Sequence, residues 1–469
     1  MSESGEGGET SRRRFLQTMG ATAAATILPS PAAGQRRRQA ERPNILFIMA
    51  DDLGYADLSS YGRRDYSTPV LDRLAAEGLL MTQGYSNSAV CSPTRVALIT
   101  GRYHQRLPVG LPEPIRPSNR PIGLPREMPT LPSLLKAAGY STALIGKWHL
   151  GWPAEHGPLQ SGYDRFFGIA GPATDYFSHR APQFADTESS LFEGDVRVER
   201  SGYLTDLLAD RAVEEIRLGT AARQPFLISL HFNAPHWPWQ GPRDTGSSAG
   251  IASLNHNDGG SLEIYAEMVR AMDAAIGRVL AELERRDAAR NTIIVFTSDN
   301  GGERFSDMWP LRGQKAELLE GGIRVPLIVR WPRRIAARGR SDQVAISMDW
   351  LPTLVAAAGA APSSNYPPDG ENLLDVFTGA APVRPRKLFW RFRARDQAAV
   401  RDGDWKYLRT GDQEQLYNLA RDPRERADLK LREVARFDRM KADYAAWNAQ
   451  MLPYPPLPPQ AAPTPPPRT

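Results

Sequence analysis

Asn44-Ile45-Leu46-Phe47-Ile48-Met49-Ala50-Asp51-Asp52 is the stretch that decides the fold. A continuous apolar run ended by two carboxylates marks a strand buried on both faces. Similar runs recur at Thr142–Ile145, Pro225–Leu230, Thr292–Thr297 and Leu327–Val329. Helical patterns lie between them. Thr68 as N-cap with Pro69 in the first position opens one, and Gly78 closes it. A longer helix is predicted from about Leu262 to Arg286, with Tyr265, Met268, Val269, Met272, Ile276, Val279, Leu280 and Leu283 on one apolar face. Strand and helix in alternation predict an α/β fold, a large mostly parallel sheet covered by helices on both sides.

The pattern changes after about residue 380. Lys387–Phe392, Gln397–Arg401, Trp405–Arg409 and Gln415–Leu419 read as short strands, with Asp402-Gly403 as a tight turn, and a helix is predicted from about Leu431 to Met451. The expected organisation is a signal segment over 1–34, a linker over 35–42 and a catalytic domain over 43–380. A C-terminal antiparallel sheet plus helix over 381–451 and a proline-rich, extended tail over 452–469 complete it.

Composition narrows the function. The net charge of +5 over 469 residues is too mild for a nucleic-acid binder, though it tolerates an anionic substrate. One cysteine excludes an intramolecular disulfide and any cysteine-rich zinc or iron–sulfur site. Ser11-Arg12-Arg13-Arg14-Phe15-Leu16 matches the twin-arginine export pattern, followed by a weakly apolar stretch, Thr18–Leu28, and small residues around Ser30, Ala32 and Ala33. That stretch is too short for a membrane span. A periplasmic or secreted protein, folded before export by the twin-arginine machinery and without a membrane span once mature, is expected.

Asp51 and Asp52 follow a buried strand, and Asp299 and Asn300 stand in the same relation to the run Thr292–Thr297. Ligands bind at the carboxyl ends of parallel strands. Four oxygen-bearing side chains from two such ends suit a hard cation, calcium or magnesium. Cys91-Ser92-Pro93-Thr94-Arg95 then reads as a helix start, with Ser92 as cap, Pro93 in the first turn and Gly101 as terminator. Cys91 therefore sits at a helix N-terminus that favours an anion, with Arg95 one turn along. A lone cysteine is more often a buried structural residue, and it is the surrounding pattern that argues otherwise here.

That pattern resembles the type I sulfatases, whose signature is Cys-x-Pro-x-Arg with Leu-x-Thr-Gly-Arg downstream. Cys91, Pro93 and Arg95 with Leu98-Ile99-Thr100-Gly101-Arg102 supply both in register. Supporting stretches are Asp51-Asp52-Leu53-Gly54-Tyr55, Gly146-Lys147-Trp148-His149-Leu150-Gly151 and Asn233-Ala234-Pro235-His236. Ser298-Asp299-Asn300-Gly301, Leu311-Arg312-Gly313-Gln314-Lys315 and Glu320-Gly321-Gly322-Ile323-Arg324-Val325-Pro326 continue the match, which runs from Arg42 to about Leu429. One departure is Thr94, where the family most often has serine; the hydroxyl is retained.

The resemblance implies an alkaline-phosphatase-like fold and hydrolysis of sulfate esters, of sulfated carbohydrates such as N-acetylgalactosamine 6-sulfate units or of aryl sulfates. It implies that a formylglycine-generating enzyme oxidises Cys91 to 3-oxoalanine (formylglycine), whose hydrate attacks sulfur. It implies one calcium ion per chain held by Asp51, Asp52, Asp299, Asn300 and an oxygen on modified Cys91. Arg95, Lys147 and Lys315 would supply positive charge for the sulfate, His149 would handle the diol proton, and His236 with Lys315 would serve the leaving oxygen. Trp237 and Trp239 read equally well as a sugar-stacking rim or as loop packing. Two rivals stand beside this reading: a phosphoester or phosphonate hydrolase on the same scaffold, and an inactive sulfated-glycan-binding protein.

Overall fold

The strand Asn44–Ala50 lies at the centre of an 11-stranded sheet, and its side chains divide cleanly between two cores. Leu46, Ile48 and Ala50 enter one core, Ile45, Phe47 and Met49 the other, as the two-residue period of a strand requires. The computed structural model describes residues 42–119, 121–181, 186–246 and 259–456. The expected signal segment, nearly all of the 35–42 linker and the tail beyond residue 456 lie outside these residues.

In spatial order the sheet runs Gly339–Ser341, Leu79–Tyr85, Arg324–Arg330, Thr292–Ser298, Asn44–Ala50, Phe226–His231, Ser141–Gly146, Arg165–Ile169, Leu191–Glu193 and Val196–Arg197. Ala345–Ile346 pairs with Leu79–Tyr85 off this row. The five strands from Thr292–Ser298 to Arg165–Ile169 are mutually parallel. Arg324–Arg330 is antiparallel to both of its neighbours, so the sheet is mixed, parallel at its centre. The expected runs all became strands. Leu79–Tyr85 and Arg165–Ile169 were not foreseen, the former because Thr82, Gln83 and Gly84 break its apolar pattern.

The helices Pro69–Glu77, Leu204–Ala222 and Leu262–Arg285 fill one core with the first strand face. Leu131–Ala137, Trp350–Ala357 and part of Cys91–Thr100 fill the other. The predicted cap at Thr68 is replaced by a distant one. The Thr68 hydroxyl makes no bond to the helix N–H groups and instead joins Ser59 and Asp72. The Asp273 carboxylate, from the long helix, accepts the Val70 and Leu71 N–H groups at 3.0 and 2.8 Å. A sequence window cannot anticipate a cap supplied 200 positions away.

Lys387–Phe392, Gln397–Asp402, Trp405–Thr410 and Gln413–Asn418 form a four-stranded antiparallel sheet in chain order. Asp402 pairs with Trp405, so the two-residue turn is Gly403-Asp404, one position later than expected, with Gly403 at φ 58°. The helix Val434–Asn448 is shorter than the predicted span. Trp390, Phe392, Leu408 and Trp447 share a core with Tyr85, Ala89, Val90 and Ala97 of the main body. The start of the expected free tail is docked: the Leu452 N–H donates to the Gln105 carbonyl (3.0 Å) and the Tyr454 hydroxyl to Glu113 (2.7 Å).

Asp273→Ala should lower stability by about 1–2 kcal/mol through the lost helix cap, read as a fall in the thermal midpoint. Asp273→Asn, which keeps an acceptor, should lose clearly less.

Candidate active site

Register brings the polar residues together. Ala50 pairs with Ser298, Met49 with His231, and Gly146 with His231, so four parallel strands end level at one edge. Asp51-Asp52, Asp299-Asn300, Lys147–His149 and Phe232–His236 all leave from that edge. Backbone bonds tie these exits: Asp51 N–H to the Ala234 carbonyl (3.1 Å), Asp299 N–H to Ala50 (3.2 Å) and Lys147 N–H to His231 (2.9 Å). Gly146, at φ 107°, passes so close to the His231 carbonyl that a Cβ there would lie 1.8 Å from its oxygen. Asp52 and His149 also occupy the left-handed region, at φ 64° and 61°, a local cost of the kind that collects at functional sites.

The helix Cys91–Thr100 begins two residues earlier than expected, with Cys91 in its first turn. Ser92 does not cap it; its hydroxyl accepts the Ile115 N–H at 2.8 Å. Thr94 takes over part of the anchoring, accepting the Ser88 N–H at 3.0 Å and donating to the Ser88 carbonyl at 3.2 Å. Cys91 Sγ stands 3.4 Å from Asp51 Oδ1.

Three buried carboxylates meet three cations. Lys147 Nζ contacts Asp51 Oδ2 at 2.5 Å, and Lys315 Nζ contacts Asp52 Oδ2 at 2.6 Å. Arg95 grips Asp299 Oδ2 through Nε (3.1 Å) and Nη2 (2.8 Å), and Nη2 lies 3.7 Å from Asp51. Its Nη1 donates to the Lys147 carbonyl at 3.0 Å and faces His231 Nδ1 at 3.5 Å. The guanidinium is thus committed to the protein's own carboxylates and carbonyl.

Burial, and then the charge of Asp299, pushes Asp51 up to about 8 against the pull of Lys147 and Arg95. Burial also raises Asp52, opposed by Lys315. For Asp299 burial is outweighed by Arg95 and Lys147, which hold the carboxyl at about 2. Burial and the adjacent Asp51 push the Cys91 thiol well up, so it stays protonated. Burial and the Lys147 charge keep His149 neutral. Its Nε2 bonds the Ile115 carbonyl at 2.8 Å as the donor, which leaves Nδ1 an acceptor; that atom is buried with no hydrogen-bond partner.

Ligand atoms of Asp51, Asp52, Cys91 and His236 all lie within 4.8 Å of one another; His236 joins three of the expected residues, and Asp299 is not in that group. His236 Nε2 is 3.6 Å from Asp52 Oδ2. Asn300 gives its Nδ2 to Asp52 Oδ1 (2.7 Å) and to the Gly301 carbonyl (2.9 Å), and its Oδ1 is buried without a hydrogen-bond partner. An orphaned amide oxygen among crowded carboxylates that resist full ionisation is what a hard cation satisfies. The residues present therefore fit such an ion.

The sequence reading missed His231, which packs its ring against Phe47 and meets Arg95; burial and then Arg95 push it down to about 3. A polar residue closing the apolar run Phe226–Leu230 was the available signal. Trp237 and Trp239 are both buried, and Trp239 packs edge-on to Phe305 at 4.9 Å, which favours loop packing over an open stacking rim.

The family described as Sulfatase matches residues 43–360, and the one described as N-sulphoglucosamine sulphohydrolase, C-terminal, matches residues 314–441. The chain belongs to the sulfatase family. The N-acetylgalactosamine-6-sulfatase of Canis lupus familiaris is 34% identical over 417 residues, covering 83% of this sulfatase and 76% of that relative. Among solved structures, Ps i-CgsB in complex with k-i-k-neocarrahexaose superposes with a TM-score of 0.78 at 31% identity, over 87% of this chain and 93% of its own. PsFucS1 sulfatase from Pseudoalteromonas sp. follows at a TM-score of 0.73 and 25% identity, over 91% and 96%. The phosphonate monoester hydrolase of Agrobacterium radiobacter shares the fold, at 22% identity and a TM-score of 0.62. This sulfatase is thus an enzyme that hydrolyses sulfate esters.

Arg95→Leu would leave Asp299 buried without its counter-charge. The expected loss is about 3–5 kcal/mol, seen as a large drop in thermal midpoint or failure to accumulate soluble protein.

Proposed function

We propose that this sulfatase releases inorganic sulfate through a formylglycine made from Cys91, with one calcium ion held by Asp51, Asp52, Asp299, Asn300 and an oxygen on the modified side chain. The observation that carries the reading is the cluster itself: Cys91 at a helix N-terminus, beside Asp51, within one ligand shell of Asp52 and His236. Calcium there would act as a Lewis acid on a sulfate oxygen, and the hydrated aldehyde would supply an oxygen nucleophile. His149, neutral with Nδ1 open, accepts a proton from that group. Lys315 and His236 flank Asp52 and serve the leaving oxygen, while Lys147 pairs with Asp51 Oδ2 and leaves Oδ1 facing Cys91.

The substrate class we favour is sulfated carbohydrate, N-acetylgalactosamine 6-sulfate units among them, supported by the relatives named above, with aryl sulfates as surrogates. We further propose maturation by a formylglycine-generating enzyme and export through the twin-arginine route to the periplasm or beyond. Among the described residues no helix is long and apolar enough to cross a membrane. The division into a catalytic domain over 43–380 and a C-terminal unit over 381–451 is proposed on the change from the large sheet to the antiparallel one.

Protein made in a host able to form formylglycine should yield a Cys91 peptide lacking one sulfur and two hydrogens and carrying one extra oxygen. Cys91→Ala should then release no sulfate above background, and an unmodified thiol in fully active enzyme would overturn the mechanism. Chelation should lower the thermal midpoint, with calcium restoring it at lower concentration than zinc.

A further inference from the structure

Lys315 lies in the irregular stretch that links Thr292–Ser298 to Arg324–Arg330. It is the most exposed of the three cations, its side chain 13% exposed against 2% for Arg95 and 0% for Lys147. On the catalytic side its backbone is anchored by Lys315 N–H to the Gly302 carbonyl (2.9 Å) and Ala316 N–H to Ala89 (2.9 Å). Ala316 occupies the left-handed region at φ 67°, a conformation an alanine does not adopt unaided.

A further restraint comes from the C-terminal sheet. Gln397, buried at the start of its strand, accepts the Leu318 N–H through Oε1 at 2.8 Å. Its Nε2 donates to the Ala316 carbonyl at 3.1 Å. One amide thereby pairs with the backbone on both sides of Glu317, as a neighbouring strand would. Behind it Lys406 Nζ sits between Glu320 Oε1 (3.0 Å) and Glu425 Oε1 (2.9 Å), all three fully buried. Glu425 Oε2 also accepts the Glu320 N–H at 2.7 Å, and its carbonyl accepts Arg312 at 3.0 Å.

We propose that Gln397 is a positioning residue for sulfate-ester cleavage: through the Ala316 and Leu318 peptide groups it sets the reach of the Lys315 ammonium, braced by Lys406, Glu320 and Glu425. This rests on Lys315 acting at the leaving oxygen, as proposed above. The C-terminal unit then completes the active site. Misplacing the ammonium costs little when the leaving group departs readily as an anion, and much when charge on the departing oxygen must be stabilised.

The test uses full-length, modified enzyme and three substrates, para-nitrophenyl, phenyl and para-methoxyphenyl sulfate. For Gln397→Met, the ratio of kcat/KM on para-nitrophenyl sulfate to that on para-methoxyphenyl sulfate should rise about tenfold over wild type. Gln397→Asn, too short to span both groups, should behave likewise. Because the ratio is taken within one preparation, it does not depend on how much of a variant is folded. A parallel fall on all three substrates in both variants would overturn the proposal and reduce Gln397 to a structural contact. Lys315→Ala should raise the same ratio further. An unchanged ratio there would instead remove the leaving-oxygen assignment of Lys315, and the proposal with it.

Discussion

Three carboxylates buried within one small volume set the terms for the rest of this molecule. Asp51, Asp52 and Asp299 lose their hydration and repel one another, and Asp51 shows the strain by resisting ionisation. Lys147, Lys315 and Arg95 answer with one positive charge each, every one reaching its carboxylate directly. The same constraint suits the interlocked backbone around the site, because a buried charge that loses its partner is costly.

The parallel centre of the sheet supplies that precision. Strands that end level deliver Asp51, Lys147, the His236 loop and Asp299 to one edge, and each exit is bonded to a neighbouring one. Cores on both faces hold the strands in place. The helix carrying Cys91 packs against that edge, held by Thr94 on Ser88 and by Ser92 on Ile115. Because Ile115 also bonds His149, the Cys91 helix and the histidine share one support.

The C-terminal sheet stands in a different relation to the site. It shares a core with the main body and adds polar contacts, among them Gln397 on the Ala316 and Leu318 backbone, Lys406 on the Glu320 carboxylate, Trp390 on the Ser86 carbonyl and Arg401 on the Tyr85 hydroxyl. The two units are therefore joined both by apolar burial, which is tolerant of small shifts, and by directional bonds, which are not.

The sequence alone determined the α/β class, the strands at Asn44–Ala50 and Thr292–Ser298, and the family, because apolar runs of strand length and clustered motifs are local signals. It also grouped Asp51, Asp52, Asp299 and Asn300, since each follows a strand, and the family resemblance joined Cys91 to them. Only the tertiary structure decided who faces whom. Arg95 turned out to grip Asp299, His236 joined the Asp51–Asp52–Cys91 group, His231 emerged behind Arg95, and Asp273 replaced Thr68 as a helix cap. The tryptophans after His236 went inside, and Gln397 reached across to the Lys315 segment. Each of these depends on atoms brought together from distant parts of the chain. Their geometry is set by sheet register and by packing between elements, which no local pattern of residues encodes.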